Sequence, residues 1–392
     1  MTLTVDVVDD DARFAALAGE WEALLRASRA RCLFLTWEWL HTWWRHLGSR
    51  HRLSVLAVRE GGTLVAIAPF AVSRRRPALS PLAAVEFLGS GDVGSDYLDL
   101  ICAPGREEPV LDALVDHLER RRAFLRLRRL EPSSALAAHL AGRLRTAGWS
   151  VARSAPEVCP YIPLDGHTWD SYLAGLGAQH RYNVRRRLRN LERAGARFER
   201  VDSEEGRREV FPALVALHNA RWSGRGGSEA FHHRGLVAFH DELSRIALAR
   251  GWLRLFALRL EGRVVAALYG FLYEGRFSFY QAGFDPGQGR LSLGLAAMGL
   301  AIKSAIEEGA RSYDMLHGDE PYKFLWCREA RELAQLELYP RTAAGGLARR
   351  AAATLRGVKA AVRQALPPRM LDAAAAARRH WRARDLGAAP AR

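Results

Sequence analysis

Residues 317–326 (HGDEPYKFLW) place two carboxylates, Asp319 and Glu320, a phenol, Tyr322, and an ammonium, Lys323, within five positions. They follow an apolar strand pattern at 312–316, and the C-terminal end of a strand is where α/β sheets generally keep ligand sites. A carboxylate there acts as a general base if burial raises its pKa, and a phenol can return a proton to a leaving group. Asp319 and Glu320 serve equally well as caps of the helix that follows. Lys323 stands out by rarity, because all but three of the 58 basic residues are arginine.

A second constellation suits an anion. On a helix over 179–193, Arg181, Arg185, Arg189 and Arg193 stack at i, i+4, with Val184, Leu188 and Leu191 facing inward. Like charges at this spacing repel, so an anionic ligand would relieve the conflict; Glu192, Glu204 or Glu205 can do the same, or the face is simply solvated. His180, at the start of this helix, offers an imidazole that is a base while neutral. A helix at 210–221 carries His218, Arg221 and Trp222, which either reach a ligand or lock the helix onto its sheet. The Gly-rich 223–228 segment that follows reads as a lid or a connector.

A strand at 276–284, a turn at 285–289 and a helix at 291–308 form the third arrangement. A strand feeding a glycine-containing turn and then a helix N-terminus offers backbone N–H groups to a phosphate, here near Gly289 and Gly294. No GxGxxG or GxxxxGK[ST] pattern is present, which argues against a dinucleotide-binding or P-loop fold. Cys32, Cys102, Cys159 and Cys327 lie far apart without CxxC or Cys/His spacing, so reduced thiols and no metal site are expected.

The elements that must carry these groups repeat. Residues 53–66 (LSVLAVREGGTLVA) return 200 positions later as 253–266 (LRLFALRLEGRVVA), with Leu53, Ala57, Arg59, Gly62, Val65 and Ala66 matched by identical residues. Each copy reads as a β-hairpin followed by an apolar helix and a further strand. A chain of 392 residues exceeds one ordinary core. Two similar α/β domains in tandem are predicted: 1–154, 155–340, and a basic tail at 341–392, with the three prolines of 155–163 marking the crossing. In the first domain, Thr36 is the expected N-cap of an aromatic helix at 37–47 whose tryptophans read as core rather than as a sugar platform. A strand is expected at 96–100, where Asp96 and Asp99 fall on opposite faces, so only one of them can enter a cleft.

The net charge of +15 is concentrated in the tail, which holds 12 basic residues against Asp372 and Asp385. The preceding 340 residues are near neutral, which speaks against nucleic acid as a partner. The tail reads as one or two basic helices or a partly disordered extension. It is either a solvated appendage or a contact to an anionic membrane, a polysaccharide or RNA. The acidic N-terminus lacks a signal-peptide pattern and no apolar run is long enough to cross a bilayer, so a cytoplasmic protein, peripheral to the inner membrane at most, is expected.

Taken together, FLTWEWLHTWW, SDYLDL, CPYIPL, HRYNVRRRLRNLE, LHNARW, FYQAGFDP and YDMLHGDEPYKFLW, in order over residues 30–340, resemble the CelD/BcsL-type acetyltransferases. These belong to the wider GNAT-like group that includes the FemABX peptidyltransferases. The resemblance implies two tandem GNAT-like domains, each a mixed, mostly antiparallel sheet flanked by helices, the first non-catalytic. It implies acetyl-CoA or another acyl-CoA as donor, no metal, and transfer to an amine or hydroxyl of a small-molecule or glycan acceptor. The pantetheine would lie between strands 277–284 and 312–316, with the thioester near Tyr280, Gln281 and Ala282, whose backbone N–H polarises the carbonyl. Arg290 and Gly294 belong to a loosely matched pyrophosphate loop whose first glycine is absent. Asp319, Glu320 or His180 would be the base, Tyr322 would protonate the thiolate, and Lys323, in a Lys-x-x-Trp context, would stabilise negative charge. Arg181, Arg185, Arg189, Arg221, Trp222 and Asp96 would face the substrate.

Two other functions fit the same residues. One keeps the fold and takes its acyl group from aminoacyl-tRNA, with the arginine ladder and tail on RNA. The other is a non-catalytic scaffold in a polysaccharide-synthase assembly, bound through the tail.

Overall fold

The computed structural model describes residues 3–74, 80–121, 123–131, 135–223, 231 and 233–365. The rest of the Arg/Pro loop after Arg74, the Gly-rich loop after Ser223 and the tail after residue 365 lie outside them. Two compact units divide the chain, one of Met1–Glu157 with Glu332–Leu371 and one built on Val158–Arg331. Among the described residues, no helix is long and apolar enough to cross a membrane.

The first unit opens with β1 (Leu3–Val8), α1 (Asp11–Ala16), α2 (Ala18–Ala27) and α3 (Trp37–Leu47). As expected, Thr36 caps α3 by accepting the Trp39 N–H at 3.3 Å. The tryptophans at i, i+4, Trp39 and Trp43, are buried, so the aromatic helix is core. Then come β2 (His51–Leu53), β3 (Val55–Glu60), β4 (Thr63–Ala68), β5 (Phe70–Ser73), β6 (Ala83–Phe87), β7 (Ile101–Cys102), α4 (Glu107–Glu119), β8 (Ala123–Leu130), α5 (Leu136–Thr146) and β9 (Ser150–Pro163). The strand expected at 96–100 does not form. Tyr97 takes a left-handed φ of 56°, and the Asp99 carboxylate instead accepts N–H bonds from Leu100, Leu136 and Ala137, capping α5 from a distance. Burial raises the Asp99 pKa to about 6 against the pull of those bonds. The crossing expected at 155–163 is where the units divide, between Glu157 and Val158, and it is made within a continuous strand.

The second unit takes up the last residues of β9 and continues with α6 (Trp169–Gly175), α7 (Ala178–Arg193), β10 (Arg197–Arg200), α8 (Glu204–Ser223), α9 (Arg234–Ala249), β11 (Leu253–Leu260), β12 (Arg263–Tyr273), β13 (Arg276–Phe284), α10 (Leu293–Glu307) and β14 (Ser312–Asp314). Its sheet runs β10-β11-β12-β13-β14-β9. Only the β13–β14 pair, bridged by α10, is parallel. Leu268 of β12 packs into the cluster that holds Met298 and Ile302 of α10, whereas the neighbouring Tyr269 meets Phe211 of α8 and His240 of α9. Alternation along a strand therefore puts α10 on one face and α8 with α9 on the other. The chain then returns to the first unit through β15 (Glu329–Tyr339), which pairs with β8, and α11 (Ala343–Ala365). The second unit thus ends short of residue 340.

The internal repeat holds down to single hydrogen bonds. In β3–β4 the register slips between Val58 and Arg59, and in β11–β12 between Leu258 and Arg259. At each slip the arginine bonds to the turn glycine, Arg59 to Gly62 O at 2.9 Å and Arg259 to Gly262 O at 3.4 Å. Each also meets an acid on an earlier helix, Glu20 of α2 or Glu209 of α8, and one on the strand that pairs with its hairpin, Asp6 of β1 or Glu199 of β10. The copies differ where continuity matters. β11, β12 and β13 are unbroken, whereas their counterparts are interrupted at Ser54, at Pro69 and across residues 88–100. Pro69 has no N–H to give a ladder. The first unit consequently holds two sheets, β1-β3-β4-β7 and β15-β8-β6-β5-β2.

Candidate active site

The site forms where β13 and β14 part. Their ladder covers only Arg276–Ser278 against Ser312–Asp314. Beyond it, β13 pairs with β12 through a bulge at Tyr280, where the register steps from Gly270 opposite Phe279 to Tyr269 opposite Gln281. One extra residue reverses the alternation. Phe277 and Phe279 before the bulge, and Ala282 and Phe284 after it, pack on the α10 face. Gly283 lies against α8, where an added Cβ would sit 2.5 Å from the backbone N of His218. Both polar backbone groups of Ala282 turn to side chains instead of a strand. Its N–H donates to Gln281 Oε1 at 3.1 Å, and its carbonyl lies 3.2 Å from His218 Nδ1.

Directly after β13, Asp285 accepts the Gly287 N–H at 2.8 Å and opens a tight 3-10 turn over Pro286–Leu291. Ser292 then takes the left-handed conformation, φ 52° and ψ 49°, so a serine occupies the position where the chain must reverse before α10. The first backbone bonds of the helix run from Leu295 and Ala296 to Ser292 O. The N–H groups of Leu293 and Gly294 are thus the first-turn donors, at the positive end of the helix. Gly294 is required by packing: a Cβ there would lie 2.7 Å from the Phe284 ring. From α7, Arg187 ties the turn down by donating to Arg290 O at 2.6 Å.

On the opposite face a buried imidazole meets the bulge. His240 is fully buried, its Nε2 is 2.9 Å from the Tyr280 hydroxyl, and its Nδ1 is 3.5 Å from that of Tyr269. Burial alone drives its pKa down to about 3, so the ring stays neutral. Burial likewise lowers His218, against the Ala282 bond that raises it. A carbonyl only accepts, so neutral His218 carries its proton on Nδ1 and keeps the lone pair on Nε2. Of the two histidines, His218 stood out in the sequence and His240 did not. A lone histidine on the apolar stripe of a helix gives no signal apart from its neighbours.

The 316–327 loop closes the site. Leu316 adopts φ 54° and Gly318 φ 122°. These turn three carbonyls inward onto Lys323 Nζ, from Leu316 at 3.2 Å, His317 at 2.9 Å and Gly318 at 3.3 Å, with the Glu320 carboxylate at 3.0 Å. Lys323 is 3% exposed. Its charge is therefore held by its own loop and does not face a ligand, because a buried ammonium must have its protons accepted. Asp319 and Glu320 are exposed. Tyr322 keeps 40% of its surface, and burial of its hydroxyl followed by the Glu320 charge pushes its pKa up to about 12, with Arg221 opposing.

The remaining predicted residues separate. Arg221 lies over the Phe284 ring, 4.5 Å from its centroid, beside the site. The side chain of Trp222 is outside the described residues. Arg181 is turned to α6, donating to Ala174 O at 2.8 Å and Leu176 O at 3.2 Å. Arg185 is 3.8 Å from Asp170, and Arg189 is exposed. His180 packs edge-on against Trp326 at 4.6 Å, and burial lowers its pKa. Asp96 belongs to the first unit and is fully buried, 3.6 Å from Arg129, which removes it from any open cleft. Tyr280, Gln281, Ala282, Arg290 and Gly294 do come together, along one strand–turn–helix connection. All four cysteines are buried thiols.

Residues 178–324 match the family described as Acetyltransferase (GNAT) domain. Among solved structures the chain is similar to FemX, with 13% identity and a TM-score of 0.59 over 85% of this chain and 97% of that one. It is also similar to a conserved protein of unknown function from Bacteroides thetaiotaomicron, at 12% identity and TM-score 0.54, covering 86% and 99% of the two chains. A third similarity is to L-PGS from Bacillus licheniformis, at 13% identity and TM-score 0.50, covering 84% and 94%. No curated protein matches the sequence. At these identities the structures share a fold. The stretch that matches the GNAT acetyltransferase domain lies within the second unit, in a mixed α/β architecture of mostly antiparallel sheets flanked by helices.

Proposed function

We propose that the chain is an acyl-CoA-dependent acyltransferase of the CelD/BcsL type. It transfers an acetyl or other acyl group to an amine or hydroxyl of a sugar, a polysaccharide precursor or an amine-bearing envelope metabolite. The observation that carries this reading is Ala282: among the described residues, at the edge of β13 beyond the β14 ladder, its N–H donates to the adjacent Gln281 side chain. An acyl carbonyl oxygen arriving between β13 and β14 would take that N–H as Gln281 swings aside, and the donor stabilises the developing oxyanion. The pyrophosphate would meet the N–H groups of Leu293 and Gly294. His218, whose Nδ1 lies 3.2 Å from the Ala282 carbonyl, is the base that we favour over Asp319, Glu320 and His180, because its tautomer is fixed and burial maintains its neutral form. The acceptor attacks the carbonyl carbon and loses its proton to the base. The C–S bond breaks, and Tyr322, held protonated, supplies a proton to the thiolate.

The test is isothermal titration with acetyl-CoA and longer acyl-CoAs, on the wild type and on Gln281→Ala. Saturable binding is expected, no weaker in the variant, whose Ala282 N–H is already free. A folded sample that binds no acyl-CoA sinks the proposal. The second reading, with an aminoacyl-tRNA donor, draws on the likeness to FemX over most of the chain. The near-neutral first 340 residues count against it, and steeply salt-dependent tRNA binding would support it.

A further inference from the structure

Helix α11 carries more apolar surface than the described residues cover. It docks on Leu82, Ala84, Phe124 and Tyr339 through small residues, Ala344, Ala348 and Ala352. Its larger apolar side chains are left uncovered: Leu347 is 57% exposed, Leu355 36%, Val358 54% and Val362 46%. At a turn of 100° per residue these four fall within one stripe about 80° wide, with Ala344 and Ala351 among them, so the stripe continues the edge by which the helix docks. Between residues 343 and 365 the sequence carries Arg349, Arg350, Arg356, Lys359 and Arg363 and no acidic residue. Arg356 is paired with Glu337 at 2.6 Å, whereas Arg349 and Arg350 are exposed.

The covering surface must therefore be apolar and negatively charged at once. A second copy of the helix would bury the stripe but set one basic face against another. A soluble polyanion, such as an acidic polysaccharide or RNA, would match the charge and leave the leucines and valines in water. A bilayer containing anionic lipids satisfies both, since an interfacial helix sinks its apolar face to the acyl boundary and keeps its cations among the headgroups. We propose that α11 is an interfacial anchor that lies in the headgroup layer of an anionic membrane. This rests on α11 alone and is independent of the acyl-transfer chemistry.

The full-length protein would be tested by co-sedimentation with vesicles of phosphatidylcholine and of phosphatidylcholine with phosphatidylglycerol, at low and high salt. Two double variants accompany it, Leu355→Asn with Val358→Asn, and Arg349→Gln with Arg350→Gln; all four positions are exposed, so melting temperatures should stay at the wild-type value. Binding to the anionic vesicles is expected, weakened by salt and by roughly fivefold for each arginine removed. The asparagine pair should abolish it. The proposal is overturned by absence of vesicle binding, by equal binding to neutral vesicles, or by binding that neither double variant changes. A wild-type dimer in sedimentation equilibrium that the asparagine pair disperses, without vesicle binding, would assign the stripe to a second copy and overturn it as well.

Discussion

Replacing Lys323 by methionine separates two roles that the sequence left entangled. The variant keeps the apolar length of the side chain and deletes the ammonium that draws in the carbonyls of Leu316, His317 and Gly318 and the Glu320 carboxylate. A buried carbonyl left without a donor costs about 1–3 kcal/mol. Gly318 is half-buried, so water replaces part of the loss, and removing the ammonium relieves its own desolvation. The net destabilisation should be about 2–4 kcal/mol. For a unit of this size that is a fall of roughly 4–16 °C in Tm, measured by calorimetry. Activity should fall with it, because the released loop carries Tyr322 and Trp326. The reasoning is refuted if Lys323→Met melts at the wild-type temperature while kcat drops: the ammonium would then act on the reacting groups, as the sequence resemblance implies.

His240→Phe tests the buried imidazole. Its folded pKa, about 3, lies below the ordinary 6.5, so the unfolded chain binds a proton that the folded one refuses. The associated stability is complete above pH 6.5 and declines as pH falls toward 3, by about 1.4 kcal/mol per unit. Urea denaturation across that range should show a shallower decline in His240→Phe; an identical slope would mean that the ring is not held neutral. Gly294→Ala puts a Cβ 2.7 Å from a Phe284 ring already covered by Arg221. It should cost about 1–3 kcal/mol and weaken acyl-CoA binding at least about tenfold; titration and melting curves that match the wild type would detach this helix end from the donor site.

Much of the fold was legible because it rests on local patterns. The hairpin repeat at 53–66 and 253–266, the Thr36 cap, the aromatic core helix and the strand–turn–helix of 276–308 each follow from period, turn chemistry or capping within a few residues. The expected strand at 96–100 failed because Asp99 found a distant partner, the N-terminus of α5, which competes with strand pairing and cannot be seen from neighbours in sequence. The prolines of 155–163 marked the crossing between the units, which is made within β9, where Pro160 offers a carbonyl that accepts the Met315 N–H. A proline lacks the donor and keeps the acceptor.

The sequence by itself determined which elements form, that they form twice, and which residues stand along the connection from Tyr280 to Gly294, because those depend on short-range propensity and on glycine and apolar spacing. Tertiary structure alone decided which way the side chains work. The extra residue at Tyr280 exchanged the two faces of β13 and brought His218 to Ala282 and His240 to Tyr280. The left-handed turns at Leu316 and Gly318 folded three carbonyls onto Lys323. α11 docked by its alanines and left its leucines and valines uncovered. Each depends on a register, a backbone reversal or a packing partner far away in sequence, and such contacts are settled only when the whole core is assembled.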